Sequence, residues 1–300
     1  MAMQAQRAPL ADGRWHFQHG PIDCVIAAEG DAEAVAAAHA AAWARFQPLL
    51  AELVAELPLL RQPVVAGGIH PLRGAVARRM WDACAPLRDA ADGFITPMAA
   101  VAGSVAQELI AAYQRPGITR AWVNNGGDIA LHLAPGQSAR VGLFADLARV
   151  DAAALARTAA GQLCTDAGFG VDYGSPVRGV ATSGWRGRSH SLGIADSVTV
   201  LAATAAMADA AATVIANAVD VQDARIHRAP ASSLRDDSDL GERPVTVDVP
   251  ALPPALVQQA LNHGLAMARR LRALGLIEAT LLVCQGSLAR LAPTGDLELV

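Results

Sequence analysis

The stretch Val123-Asn124-Asn125-Gly126-Gly127-Asp128-Ile129 constrains this chain more than any other. Ahead of it Ile118, Ala121, Trp122 and Val123 read as a strand, and after it Ile129, Leu131 and Leu133 alternate with other residues. Adjacent glycines between two such runs supply the positive φ angles of a tight turn, so the runs are predicted to pair as an antiparallel hairpin. Strand signals recur at 15–28, 141–147, 179–183, 196–202 and 278–285. Strands therefore dominate the middle of the chain.

Helices are predicted between them. Hydrophobic residues make up 53% of the chain and aromatics only 4%, and much of the apolar share is alanine, which packs helices closely. Residues 31–57 read as a long alanine-rich helix, with Pro58 and Pro63 ending that region. A second helix opens at Thr96, a cap residue followed by Pro97 at the first helical position, and Met98, Val101, Val105 and Leu109 follow at helical spacing until Pro116 and Gly117 stop it. Helix patterns also cover 151–164, 205–219 and 253–274. The terminal strand needs a sheet to join, so residues 1–300 are read as one α+β unit. Its one composition break, 229–243, is rich in Ser, Asp and Arg and reads as a polar surface loop, of the kind that is mobile or functional.

A net charge of −4 and a pI near 6.0 give no electrostatic footprint for nucleic acid or an anionic membrane. Residues 1–13 contain no apolar run of signal-peptide length, so secretion is not expected. The one hydropathic window, 198–219, carries Asp209 near its centre, which in a bilayer costs roughly 3 kcal/mol. A buried strand followed by a core helix is the better reading. Cys24, Cys84, Cys164 and Cys284 form no CxxC pair and are expected to be reduced, buried thiols in a cytoplasmic protein.

Three segments could carry chemistry. In Met207-Ala208-Asp209-Ala210-Ala211-Ala212-Thr213 an acid and a hydroxyl stand four apart, on one face of the helix. A carboxylate on a buried helix needs a partner, and a hard cation such as Mg²⁺, which takes oxygen ligands and keeps waters and substrate phosphates, would serve. A capping or core hydrogen bond is the plainer alternative. Asn125, Gly126, Gly127 and Asp128 form a bend whose backbone N–H groups could approach a phosphate or a ring. Ala181-Thr182-Ser183-Gly184-Trp185-Arg186-Gly187-Arg188-Ser189-His190-Ser191 is a strand end opening into a loop, where Arg186 and Arg188 suit phosphate oxygens, a solvated basic loop being the plainer alternative, and His190 by itself reads as a hydrogen-bonding residue before a catalytic base.

Together these segments resemble the ApbE-like superfamily of magnesium-dependent FAD:protein FMN transferases. An N-x-G-G-D-I-type turn, an A-T-S-G segment, S-V-T-V and an A-D-A-x-A-T helix occur there in the order seen here at 123–129, 181–184, 197–200 and 208–213. Phe17-Gln18-His19-Gly20-Pro21, Pro97-Met98-Ala99-Ala100-Val101-Ala102-Gly103 and Ser191-Leu192-Gly193-Ile194-Ala195-Asp196 are closer still to a short branch of that superfamily. The resemblance implies mixed, mainly antiparallel sheets flanked by alanine-rich helices. It also implies Mg²⁺ on Asp209 and Thr213, and FAD or FMN beside Asn125, Gly126, Gly127, Asp128, Thr182, Ser183, Gly184, Arg186 and Arg188. His190 and Asp209 take the catalytic positions, with an acceptor protein as partner. A homodimer through the helix at 31–57 is a further expectation, second to a core role for that helix. Two departures bear on the chemistry: the I-I-D-P-x-T-G stretch that follows the family's serine-histidine pair is missing, and Trp185 and Arg186 replace its acid and tyrosine. The implied alternatives are a biosynthetic enzyme acting on a phosphorylated or pterin-like precursor in tetrahydromethanopterin-type C1 cofactor synthesis, or a non-catalytic flavin-binding protein.

Overall fold

The computed structural model describes residues 4–65, 67, 70–143, 167–187 and 189–292. Its strands are β1 (Gln6–Pro9), β2 (Trp15–His19), β3 (Ile22–Gly30), β4 (Ile118–Asn125), β5 (Asp128–Leu133), β6 (Ser138–Leu143), β7 (Ala167–Asp172), β8 (Gly179–Ser183), β9 (Ser197–Ala202), β10 (His227–Pro230), β11 (Pro244–Asp248), β12 (Ala279–Cys284) and β13 (Ser287–Leu291). Nine of them form one sheet in the order β1-β2-β3-β4-β5-β8-β9-β12-β13, while β6–β7 and β10–β11 pair separately. Each pairing in the large sheet is antiparallel. The fold is α+β, as predicted, and the strand at the C-terminal side joins this sheet through β9.

Register gathers the turns that matter at one end of the sheet. His19 pairs with Ile22 around Gly20, Asn125 with Asp128 around Gly126 and Gly127, and Cys284 with Ser287 around Gln285 and Gly286. Ser183 pairs with Val198 where β8 gives way to the loop that leads into β9. Cys24 lies opposite Asn125, Ile129 opposite Val180 and Ser197 opposite Val283, so all four connections face the same way. Gly126 and Gly127 have φ of 67° and 114°, the left-handed pair that a two-residue hairpin of this hand requires.

One face of the sheet carries α1 (Ala32–Ala55), α2 (Ala75–Cys84), α3 (Val101–Ile110), α4 (Ala205–Ala218) and α5 (Pro254–Ala273). α3 packs on β4 and β5, α4 on β8 and β9, and α5 on β12 and β13. The other face meets the β6–β7 pair through a smaller core of Leu131, Phe169, Val171, Val180, Leu201 and Leu281. Asp31 caps α1 by accepting from the amides of Glu33 and Ala34 at 3.0 and 3.1 Å. Pro58 does not end helical structure, because it falls in the single turn Leu57–Leu60, where its missing N–H is tolerated.

Thr96 departs from its predicted role. Its backbone is extended as a cap requires, but the turn it opens, Pro97–Ala100, is a 3₁₀ turn ahead of α3 and the side chain caps nothing. The hydroxyl donates instead to Asp239 in the polar stretch 229–243. That stretch runs from β10 through one helical turn, Ala231–Leu234, back to β11. Arg61 binds Asp237 at 2.5 Å and the Arg243 guanidinium lies 3.5 Å from the centre of the Phe94 ring, so the stretch is docked on the protein. Predicted residues 144–147, the helix at 151–164, Cys164 and Arg188 lie outside the described residues. Cys24, Cys84 and Cys284 are free and buried as expected, and burial pushes Cys284 up to about 12. Among the described residues no helix is long and apolar enough to cross a membrane.

His39 and Tyr113 make a buried pair at 2.7 Å between α1 and the turn after α3. Burial lowers the His39 pKa and raises that of Tyr113, so both stay neutral at physiological pH. Tyr113→Phe leaves the imidazole nitrogen without its partner and is expected to destabilise the protein by about 1–2 kcal/mol, measured as a fall in urea midpoint at unchanged slope.

Candidate functional site

The site is built around α4. β9 ends at Ala202, and Thr204 starts the helix two residues later by accepting from the Met207 amide at 3.2 Å. Alanines at 205, 206, 208, 210, 211, 212 and 216, with Val214 and Ile215, are buried, so the helix is enclosed on most of its circumference. Its partly exposed positions are Met207, Asp209, Thr213, Asn217 and Ala218. The three polar ones stand at i, i+4 and i+8, one line along the helix. α4 is therefore least enclosed along a stripe that begins at the predicted acid and hydroxyl.

Asp209 is gripped by the N-terminus of α3. The Gly103 amide donates to its Oδ2 at 2.8 Å, and the Ala102 amide faces the same carboxylate. The contact exists because position 103 lacks a side chain: a Cβ there would lie 2.2 Å from the Ala205 carbonyl oxygen and 2.8 Å from Asp209 Cβ. A carboxylate at the first turn of a helix is favoured by the exposed amides and the positive end of the dipole. Two stronger influences oppose it. Burial drives Asp209 well above the usual carboxylate range, and the neighbouring charge of Asp128 drives it further the same way, while the Gly103 and Ala102 amides lower it. Asp128 opens β5 directly after the glycine turn, is 8% exposed, and accepts from the Thr182 amide at 3.2 Å.

Two carboxylates thus share a sheltered corner, which disfavours full ionisation unless a cation joins them. In the metal-free protein the folded pair keeps a proton over a pH range in which the unfolded chain has lost it, beginning near the ordinary value of 3.8. There the native state binds more protons than the unfolded state, so stability falls as pH rises. Asp209→Asn keeps an acceptor for Gly103 and removes the repulsion. In EDTA its urea midpoint is expected to exceed the wild type's at pH 7 and to converge on it as pH falls toward 4.

Of the predicted residues, Asn125, Asp128 and Thr182 are tied to the corner that holds Asp209, in ways the spacing did not disclose. Asn125 is spent on scaffold: its Oδ1 accepts from the Asp23 amide at 3.3 Å and its Nδ2 donates to the Ala102 carbonyl at 3.1 Å, tying the hairpin to the turn that holds Asp209. Asn124 closes the bend by accepting from the Gly127 amide at 2.8 Å. A Cβ on Gly127 would meet nothing within 4 Å among the described residues, which leave the bend open. Thr182 reaches the site through its amide alone, because its hydroxyl bonds that of Thr199 at 2.8 Å. Ser183, partly buried, ends β8 beside Val198. Gly184 lies against the Asp196 carbonyl, where a Cβ would come within 2.4 Å. Arg186 is ion-paired with Asp196 at 3.3 Å and stacks over Trp185 at 5.0 Å. Thr213 lies one turn along the stripe from Asp209, and its hydroxyl has no hydrogen bond among the described residues. His190 is partly buried, with Nε2 enclosed and lacking a hydrogen-bond partner among the described residues.

Residues outside the predicted set also contribute. The amides of Ala102 and Gly103 were visible only as part of a small-residue helix, and Asn217 as a polar break in an alanine run. Cys84 is buried where both Asp209 and Asp239 raise its pKa further, although burial is the larger cause. Among the described residues no three His, Cys, Asp or Glu side chains come together as a metal cluster. The oxygens on offer are two carboxylates and one hydroxyl. That is a donor set suited to Mg²⁺, which often binds through one or two carboxylates and completes its shell with water and phosphate.

A UPF0280 protein of Methanothermobacter thermautotrophicus is 39% identical over 130 residues, which cover 43% of this chain and 44% of that protein. Another, from Methanopyrus kandleri, is 36% identical over 166 residues, covering 54% and 58%. The chain spans about half the length of the curated relatives it matches. Among solved structures, the ApbE protein of Thermotoga maritima superposes with a TM-score of 0.51 at 12% identity, covering 96% of each chain, a likeness of fold. The family model described as "AbpE bacteria" matches residues 6–292. With that match running nearly end to end, the chain belongs to the ApbE-like superfamily, in the bacterial family that this model describes.

Proposed function

We propose that this chain is a Mg²⁺-dependent flavin-binding enzyme that splits FAD at its pyrophosphate and passes FMN to an acceptor protein. The observation that carries the proposal is the Asp128–Asp209 pair, two carboxylates held together beside an open glycine bend. Asp209 and Thr213 would hold the Mg²⁺, which when bound supplies positive charge against the phosphoryl oxygens. The Gly126–Gly127 bend leaves room for a diphosphate or ring to approach the backbone. Arg186, kept in place by Asp196 and Trp185, adds positive charge at the rim of the same sheet end. His190 would take the proton of the acceptor's threonine hydroxyl as its oxygen bonds to the FMN phosphorus and AMP leaves. Its enclosed nitrogen, without a hydrogen-bond partner among the described residues, supports that role, since buried polar atoms ordinarily have a partner.

Incubation of the protein with FAD and Mg²⁺ tests the proposal. AMP is expected to appear with Mg²⁺ and not with EDTA; no AMP in the presence of any acceptor peptide would reject it. The Trp185–Arg186 stack favours a second reading, because it offers a planar, cationic platform where the family pattern has an acid and a tyrosine. A phosphorylated or pterin-like precursor would suit such a platform. Native mass spectrometry separates the two by the mass that co-purifies.

A further inference from the structure

We infer that Asn217 is the positioning residue for His190, holding the loop that carries the imidazole against the end of the α4 stripe. The inference rests on the reading of that stripe as the reacting face, and it goes beyond it in naming what aligns the histidine. Asn217 lies two turns from Asp209 and one from Thr213, about 12 and 6 Å along the axis. Its side-chain oxygen accepts twice, from the Leu192 amide at 2.9 Å and the Ser191 hydroxyl at 3.2 Å.

The segment so held is short and fixed from several sides. Ser191 Oγ also accepts from the Gly193 amide at 3.2 Å, and the Ser191 carbonyl accepts from the Thr246 amide at 2.8 Å. Gly193 lies so close to the end of α4 that a Cβ would come within 2.1 Å of the Ala216 carbonyl oxygen, and the Ile194 amide donates to the Val219 carbonyl at 2.8 Å. Only Ser191 lies between His190 and Asn217's amide contact at 192. With no longer loop following the histidine, the backbone that carries its ring is placed by how this one residue is pinned. A side-chain oxygen that accepts two bonds in a partly buried place holds that backbone better than a single contact.

The test uses the full chain with ¹⁵N-labelled histidine, the His190 signals being identified by their loss in His190→Gln. Asn217→Ala is expected to move the His190 imidazole resonances and to lower kcat for FAD cleavage by about tenfold to a hundredfold with KM within a factor of about three, the penalty for a misplaced catalytic group. Asn217→Asp keeps the double acceptor and is expected to restore both readouts. Ser191→Ala, which removes one of the two donors and is milder, should show the same changes to a smaller degree. His190 resonances unmoved in Asn217→Ala, or Asn217→Asp as impaired as Asn217→Ala, would overturn the assignment. Because the resonances need neither metal nor flavin, a wild type that splits no FAD would remove the proposed reaction and leave the Asn217 assignment to be decided by the spectra.

Discussion

Replacing Asp209 by alanine is expected to lower Mg²⁺-dependent FAD cleavage by about a thousandfold or more, while the protein stays folded. The magnitude follows from the role proposed for the ion: several kcal/mol of charge stabilisation at the phosphoryl group, with each 1.4 kcal/mol worth about tenfold. Asp209 supplies the one carboxylate on the stripe of α4 and is held ready by the Gly103 amide. Thr213→Ala removes a neutral ligand and should lose less, about tenfold to a hundredfold, with part recovered at high Mg²⁺. Folding is not expected to suffer, since removing Asp209 relieves the burial of a carboxylate, the larger cause of its raised pKa in the metal-free protein, and with it the repulsion by Asp128. A Tm at or above that of the wild type, together with lost AMP release, distinguishes this outcome from damage to the fold.

The second large effect is on stability. Gly103→Val is expected to cost about 3 kcal/mol or more, and Gly103→Ala about 1–3 kcal/mol, because the first added carbon already intrudes. It would meet the Ala205 carbonyl oxygen at 2.2 Å and the Ala205 carbonyl carbon at 2.7 Å, and both are backbone that cannot turn aside. Relief requires α3 to move away from α4, which breaks the amide contact to Asp209 in the same motion. Chemical denaturation should therefore show a lower midpoint, and activity should fall beyond what the remaining folded fraction explains. The alanine-rich make-up of the chain has its structural meaning here, since close approach of the two helices is what brings an amide to a carboxylate.

Much of the fold was legible locally. The glycine pair pointed to the β4–β5 hairpin and the alanine-rich runs to α1 and α4, because turn chemistry and helical spacing act within a few residues. Asp209 and Thr213 fell on one face as their spacing required. What the spacing could not disclose depended on contacts across the chain. β5 pairs with β8 and not with β6, and that jump is what brings the Thr182 amide to Asp128. The same alternation along β8 sends the Thr182 hydroxyl to Thr199. Thr96 looked like a helix cap by type and position, yet an acid 143 residues away took its hydroxyl. Asn125, read as a ligand for the bound molecule, is a brace between β3 and α3. In each case a local preference was present and a distant partner decided its use.

An Mn²⁺ titration followed by electron paramagnetic resonance, with FAD present, tests the central claim most directly. One Mn²⁺ per chain is expected to bind in the wild type, to be displaced by Mg²⁺, and to be lost in Asp209→Ala. Equal Mn²⁺ binding in wild type and Asp209→Ala, or none in either, would contradict it.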